Sequence, residues 1–154
     1  VASAIFLPFL GNDLLMTPFF EADEWDTLDL TKSPAGTAYR DEPVDFALAR
    51  GVEALQQALI LRLLTPLGSL RDLGHENYGS RLHELIGQEN VEASRLRARS
   101  YVLQAIAQER RVEKVLSLEI APVTPDSPDR LRIFARVQPV GAREPVSLGL
   151  EVGL

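Results

Sequence analysis

The 154-residue sequence predicts an α+β domain whose helices pack on a small C-terminal antiparallel sheet, preceded by an extended N-terminal arm. Three observations carry that expectation. Apolar residues recur at helical spacing from Val52 to Leu64 and again, after a glycine-punctuated stretch, up to Gln108, they switch to alternation after Arg111, and no clean period runs through residues 1–43. The boundary they define separates an arm, 1–43, from a folded domain, 44–154.

Within the arm, aromatic residues (Phe6, Phe9, Phe19, Phe20, Trp25) mix with acids (Glu21, Asp23, Glu24, Asp26, Asp29) and with the turn sequence Ser33-Pro34-Ala35-Gly36. Aromatics on an irregular segment pin it to a surface, either this chain's own core or a neighbouring subunit. Pro8, Gly11, Asn12, Asp13 and Pro18 interrupt the first twenty residues well short of the ~18 apolar residues that a spanning helix needs, so no membrane insertion is expected.

The remaining elements follow in order. Val44, Phe46 and Leu48 alternate with smaller or polar neighbours as a strand does, and Gly51 ends it. Leu55, Leu59 and Leu63, widened by Ile60 and Leu64, make a helical face that Thr65-Pro66 stops. Ser80 is placed to cap a short helix holding Leu82, Leu85 and Ile86, which Gly87 terminates. Asn90 is placed to cap a further helix, 91–108, with Leu96, Val102, Leu103 and Ile106 inward and Arg95, Arg97 and Arg99 outward. Val115, Leu116, Leu118 and Ile120 mark one strand, and Leu131, Ile133, Ala135 and Val137 a second. A third runs from Val146 to Val152, with turns at 122–128 and 139–145. Short connections of this kind make antiparallel pairs.

Composition narrows the function. An apolar fraction of 45% supports one core, and a net charge of −6 disfavours nucleic acid, which needs clustered positive charge. Of sixteen basic residues only Lys32 and Lys114 are lysine. Arginine forks suit protein interfaces, although a codon preference gives the same bias. The absence of cysteine removes disulfide and thiolate chemistry and fits a reducing compartment.

A search for chemistry assigns no catalytic set, no metal ligands and no cofactor. His75 and His83 are not at i, i+4, and Gly79 lies between them. Ser69, Ser80 and Ser94 lack a nucleophile-elbow context, and Gly68, Gly74 and Gly79 form no phosphate loop. Which two of 22 acidic residues face one another is not readable from spacing. Glu109 is the exception worth following. It falls in the last turn of a predicted helix, where the macrodipole disfavours it, so it calls for a cation: Arg111 beside it or one on another chain.

Three blocks resemble a known family: Gln57-Ala58-Leu59-Ile60-Leu61-Arg62-Leu63-Leu64-Thr65-Pro66-Leu67-Gly68, Tyr78-Gly79-Ser80-Arg81-Leu82-His83-Glu84-Leu85-Ile86-Gly87 and Glu109-Arg110-Arg111-Val112. In order and spacing they are similar to the sheath-initiator baseplate wedge proteins of contractile tails, a family sometimes labelled lysozyme-like. It occurs in contractile phages, tailocins, extracellular contractile injection systems and type VI secretion baseplates. The similarity runs from about Asp45 to Val137.

The resemblance implies a small α+β domain at the baseplate of a large hetero-oligomeric assembly, cytoplasmic while it is being built. Its partners would be baseplate wedge subunits and the sheath subunit, with hub or tube proteins as further candidates. The family's Glu-Pro-Arg signature, which docks on the wedge core bundle, maps onto Glu109 and Arg111, with Arg110 where the family has proline. Sheath initiation by strand pairing would fall to Val146, Ser147, Leu148, Gly149, Leu150, Glu151 and Val152, a strand with no lysine or proline to guard its edge. The same strand could instead be internally paired, with Gly149 marking a bulge. The expected protein is therefore structural and not an enzyme. The alternative is a tail-associated peptidoglycan glycoside hydrolase, as the lysozyme-like label suggests.

Overall fold

The computed structural model describes residues 12–14, 16–21, 24–30, 48–124 and 127–154. They fall into two compact units that part between Gln57 and Ala58. The predicted boundary between 43 and 44 lies outside the described residues, as do Val44 and Phe46.

The first unit holds two small antiparallel pairs. Strand β1 (Asn12–Leu14) pairs with β4 (Leu48–Arg50), and β2 (Met16–Glu21) pairs with β3 (Glu24–Leu30). The described part of the arm is thus strand-paired, although its sequence shows no period. Backbone pairing can organise a segment whose side chains do not alternate. Gly51 follows β4 at φ +57°, a conformation suited to glycine, and α1 (Val52–Leu64) begins at once.

In α1 the residues Leu55, Leu59 and Leu63 are buried, as their spacing predicts. Its end is finished by hydroxyls. Thr65 Oγ1 donates to Leu61 O at 2.7 Å, and Ser80 Oγ donates to Leu63 O at 2.6 Å, satisfying carbonyls that a helix terminus leaves unpaired. Ser80 also forms a parallel bridge with Pro66, held by Ser80 N–H to Thr65 O and Leu67 N–H to Ser80 O, both 2.8 Å. The predicted second helix is a 3-10 helix, Leu82–Leu85, with Leu82 and Leu85 buried. Ile86 is 62% exposed and lies outside it, because the tighter turn ends one residue earlier.

The next helix, α2 (Glu92–Ala107), starts from Val91 and not from a side-chain cap at Asn90. Asn90 Oδ1 instead accepts from Arg95 Nη1 at 2.9 Å. The face of α2 also differs from expectation. Its buried residues are Ser94, Ala98, Val102, Ala105 and Ile106, whereas Leu96 is 60% and Leu103 36% exposed. Small side chains let α2 lie close against the sheet and the 3-10 turn, and close packing selects for fit more than for size. Val102 and Ile106 still contribute roughly 2 kcal/mol each by burial.

Strands β5 (Val112–Thr124), β6 (Ser127–Pro139) and β7 (Val146–Gly153) form a three-stranded antiparallel sheet in the order β5-β6-β7. Two helices and this sheet make the predicted α+β arrangement of the C-terminal part. Leu131, Ile133, Ala135 and Val137 on β6, with Val146, Leu148 and Leu150 on β7, form the buried face. Strands β5 and β6 run on to Thr124 and from Ser127, so the connection is shorter than the 122–128 turn expected from the prolines. Leu116 is 45% exposed because a register shift between Val115 and Ser117 makes it an extra residue. Among the described residues, no helix is long and apolar enough to cross a membrane.

Candidate functional site

Where α2 gives way to β5, a short turn is closed by Val112 N–H donating to Glu109 O at 3.0 Å. Arg110 occupies the position after Glu109 in this turn, one that proline also suits. Glu109 is only 9% exposed, and Arg111 folds back onto it. Arg111 Nε donates to Glu109 Oε1 at 2.8 Å, Arg111 Nη2 to Oε2 at 3.0 Å, and the Arg111 backbone N–H to Oε1 at 3.3 Å. The side-on fork is the strong form of an arginine–carboxylate contact.

A third charge comes from α1. Arg62 Nη2 lies 3.7 Å from Glu109 Oε2, and Arg62 Nη1 donates to Gln108 Oε1 at 3.3 Å. Its guanidinium stacks over the Tyr78 ring, 4.5 Å from the centroid. Arg62 Nε is buried without a hydrogen-bond partner among the described residues. Burial pushes the Glu109 carboxyl up, but the hydrogen bonds and charge of Arg111, helped by Arg62, outweigh it and hold the carboxyl below the usual range. Glu109 is therefore an ionised anchor and poorly suited to donating a proton.

The structure thus brings Glu109 and Arg111 together and supplies the local cation that the sequence called for. Arg62 was missed, because an arginine in the last turn of a helix already has a sufficient explanation in the macrodipole. Beside this cluster opens a groove of about 660 Å³, lined in part by Arg62, His75, Glu76, Tyr78, Gln108 and Arg110. The other histidine lies elsewhere: His83 Nδ1 sits 3.2 Å from Ser80 O. A second cluster ties the 3-10 turn to α2, with Arg81 bonded to Glu84 at 2.7 Å, stacked on Tyr101, and Tyr101 OH donating to Glu84 Oε2 at 3.2 Å.

The other predicted site, 146–152, is β7, and it lies at one side of the sheet. Its register with β6 is unbroken from Val137↔Val146 to Arg130↔Gly153, so Gly149 is no bulge. Leu154 N–H donates to Asp129 O at 2.6 Å, one step beyond the Arg130↔Gly153 pair. Because antiparallel pairs alternate, Leu148 and Leu150 then point their backbone groups toward β6, while those of Gly149 and Glu151 point away. A substitution that tests the open edge therefore belongs at Gly149 or Glu151 and not at Leu148 or Leu150.

At the opposite side, β5 is interrupted by three register shifts, and Arg99 Nη1 of α2 donates to Leu118 O at 2.6 Å. The two edges are therefore unlike.

This geometry defines a compact α+β domain: a three-stranded antiparallel meander with helices on one face. No family model matches the chain, and no curated protein does. Among solved structures, it is similar to a crystal structure described as a "putative tail lysozyme" from Geobacter sulfurreducens. The likeness has a TM-score of 0.54 at 18% identity and covers 64% of this chain and 86% of the other. What the two share at that identity is the fold. The expectation that the chain is not an enzyme is corrected by this finding, since the protein sharing its fold is described as a "putative tail lysozyme". The expectation had rested on the resemblance of three sequence blocks to a structural family and on a search that assigned no nucleophile, metal set or acid pair, and two acids distant in sequence can face each other only in a fold.

Proposed function

We propose that the chain is a tail-associated structural component that sits at a baseplate and offers β7 to a strand of the sheath subunit. The tail association is supported by the shared fold with a protein described as a tail lysozyme and by the resemblance of three sequence blocks. The strand-pairing role is carried by one observation, the contrast between the edges: β5 is bulged and bonded by Arg99, whereas β7 is regular and bears neither lysine nor proline. An added strand would satisfy the outward N–H and C=O groups of Gly149 and Glu151. In this reading Glu109 and Arg111 dock on the wedge core bundle as a preformed unit, so little side-chain entropy is lost on contact.

The experiment is a proline at Gly149 in the assembling system. Baseplates carrying Gly149→Pro are expected to form but not to nucleate sheath, because proline deletes an outward donor. Normal sheath polymerisation on such baseplates would remove β7 as the template.

A second reading, glycan hydrolysis, is favoured by the description of the similar structure and by the groove, where Glu76 is a lining carboxylate exposed to solvent. Its test is release of soluble fragments from purified peptidoglycan by the chain and by its Glu76→Gln variant. Release that the substitution abolishes supports this reading, and no release from either removes it.

A further inference from the structure

The outward face of α2 carries a pattern that neither the sheet edge nor the Glu109 cluster uses. Ala93, Leu96, Ser100, Leu103 and Ala107 recur at alternating steps of three and four, and all five are exposed. That spacing is the seam of a two-helix coiled coil, with leucine at one core position and a small residue at the other. The inward face is complete without it, because Ser94, Ala98, Val102, Ala105 and Ile106 already fill the contact on that side. The helix therefore has two apolar stripes and uses one.

Charge says what would cover the second. Arg97 and Arg99 flank the seam on its two sides, and both bond only to neutral groups among the described residues. Arg97 Nη1 donates to Gln88 Oε1 at 3.1 Å and Arg99 Nη1 to the Leu118 carbonyl. This is notable in a chain of net charge −6, where carboxylates outnumber basic groups. A second copy of the chain would bring the same arginines and only Glu92 as a seam-flanking acid.

We propose that this face of α2 seats an amphipathic helix of another protein, with a leucine-type ridge flanked by glutamate or aspartate. Large residues of the partner would fill the space above Ala93, Ser100 and Ala107, and its acids would meet Arg97 and Arg99. The surface is separate from β7, so this inference stands whether or not β7 templates sheath.

The test uses the full chain and two synthetic helices of three heptads with leucine cores, one flanked by glutamate and one by lysine. Binding is read by fluorescence anisotropy at low and high salt. The glutamate helix is expected to bind at least tenfold more tightly than the lysine helix, with the margin shrinking as salt rises. Leu96→Ser with Leu103→Ser should lose at least tenfold while the melting temperature holds, since both leucines face solvent. Arg97→Glu provides an independent variant and should reverse the preference between the two helices. Equal binding of the two helices overturns the proposal, as does unchanged binding by the double serine variant. Concentration-dependent dimerisation of the chain, abolished by the serine pair, would assign the face to a second copy and overturn it too.

Discussion

Arg111 grips both carboxylate oxygens of Glu109 across a separation of two residues, at 2.8 and 3.0 Å. Because Glu109 is nearly buried, its charge is compensated inside the chain before any partner arrives. Glu109→Gln should therefore cost about 2 kcal/mol of stability at neutral pH, the scale of a lost charge-assisted hydrogen-bond pair. Urea denaturation of the isolated chain measures it.

The same pair predicts a direction with pH. The Glu109 carboxyl is held below the ordinary glutamate value of about 4.3. Its contribution is fully present above that ordinary value and is lost as pH falls through the depressed one. The stability gap between the native chain and Glu109→Gln should be constant from pH 7 to near 5 and then narrow in more acidic solution. A gap that widens on acidification would contradict the assignment.

Proline substitutions along β7 should alternate in effect. Leu148→Pro removes a donor that points toward β6 and should destabilise the isolated chain by about 3 kcal/mol. Gly149→Pro removes one that points away and should leave the melting temperature nearly unchanged. A Cβ at Gly149 meets only Phe134 Cδ2, at 3.6 Å, which is ordinary contact. Thermal melts of the two variants side by side decide the parity.

Much of this was legible in the sequence. Leu55, Leu59 and Leu63, and the alternation of Leu131, Ile133, Ala135 and Val137, gave faces that the structure buries, because each pattern repeats often enough to define a side. The face of α2 was legible only in part: Val102 and Ile106 are buried as expected, and Leu96 and Leu103 are not. Leu96 and Leu103 are its largest aliphatic residues at helical spacing, and nothing local reveals that the sheet needs alanines and a serine for close approach. The bulge at Leu116 was hidden for a related reason, since a single inserted residue leaves the apolar count of β5 unchanged. At the Glu109 cluster, sequence could point to Arg111 but not to Arg62, which arrives from 47 positions away.

Gly79→Ala should be among the most damaging single changes in the loop after α1. Gly79 has φ +112°, and a Cβ there would lie 2.6 Å from Thr65 O and 2.8 Å from Pro66 O. Both obstacles are backbone, pinned by the Pro66–Ser80 bridge, so relief requires the bridge to open. A loss of roughly 3 kcal/mol is expected from combined strain and clash, checked by chemical denaturation.

Arg99 reaching Leu118 on β5 has a consequence for the valence of the sheet. A sheet open on both sides is divalent: each added strand presents a new edge, and nothing local sets where growth begins or in which direction it runs. With Arg99 bonded to a carbonyl of β5 and that strand broken by register shifts, this sheet has one irregular edge and one regular one. On the reading proposed above, a strand would join beyond β7, and the next addition would then fall on the incoming chain's far edge. On the proposed strand-pairing reading, such a unit would start a directional polymer and be found at its end.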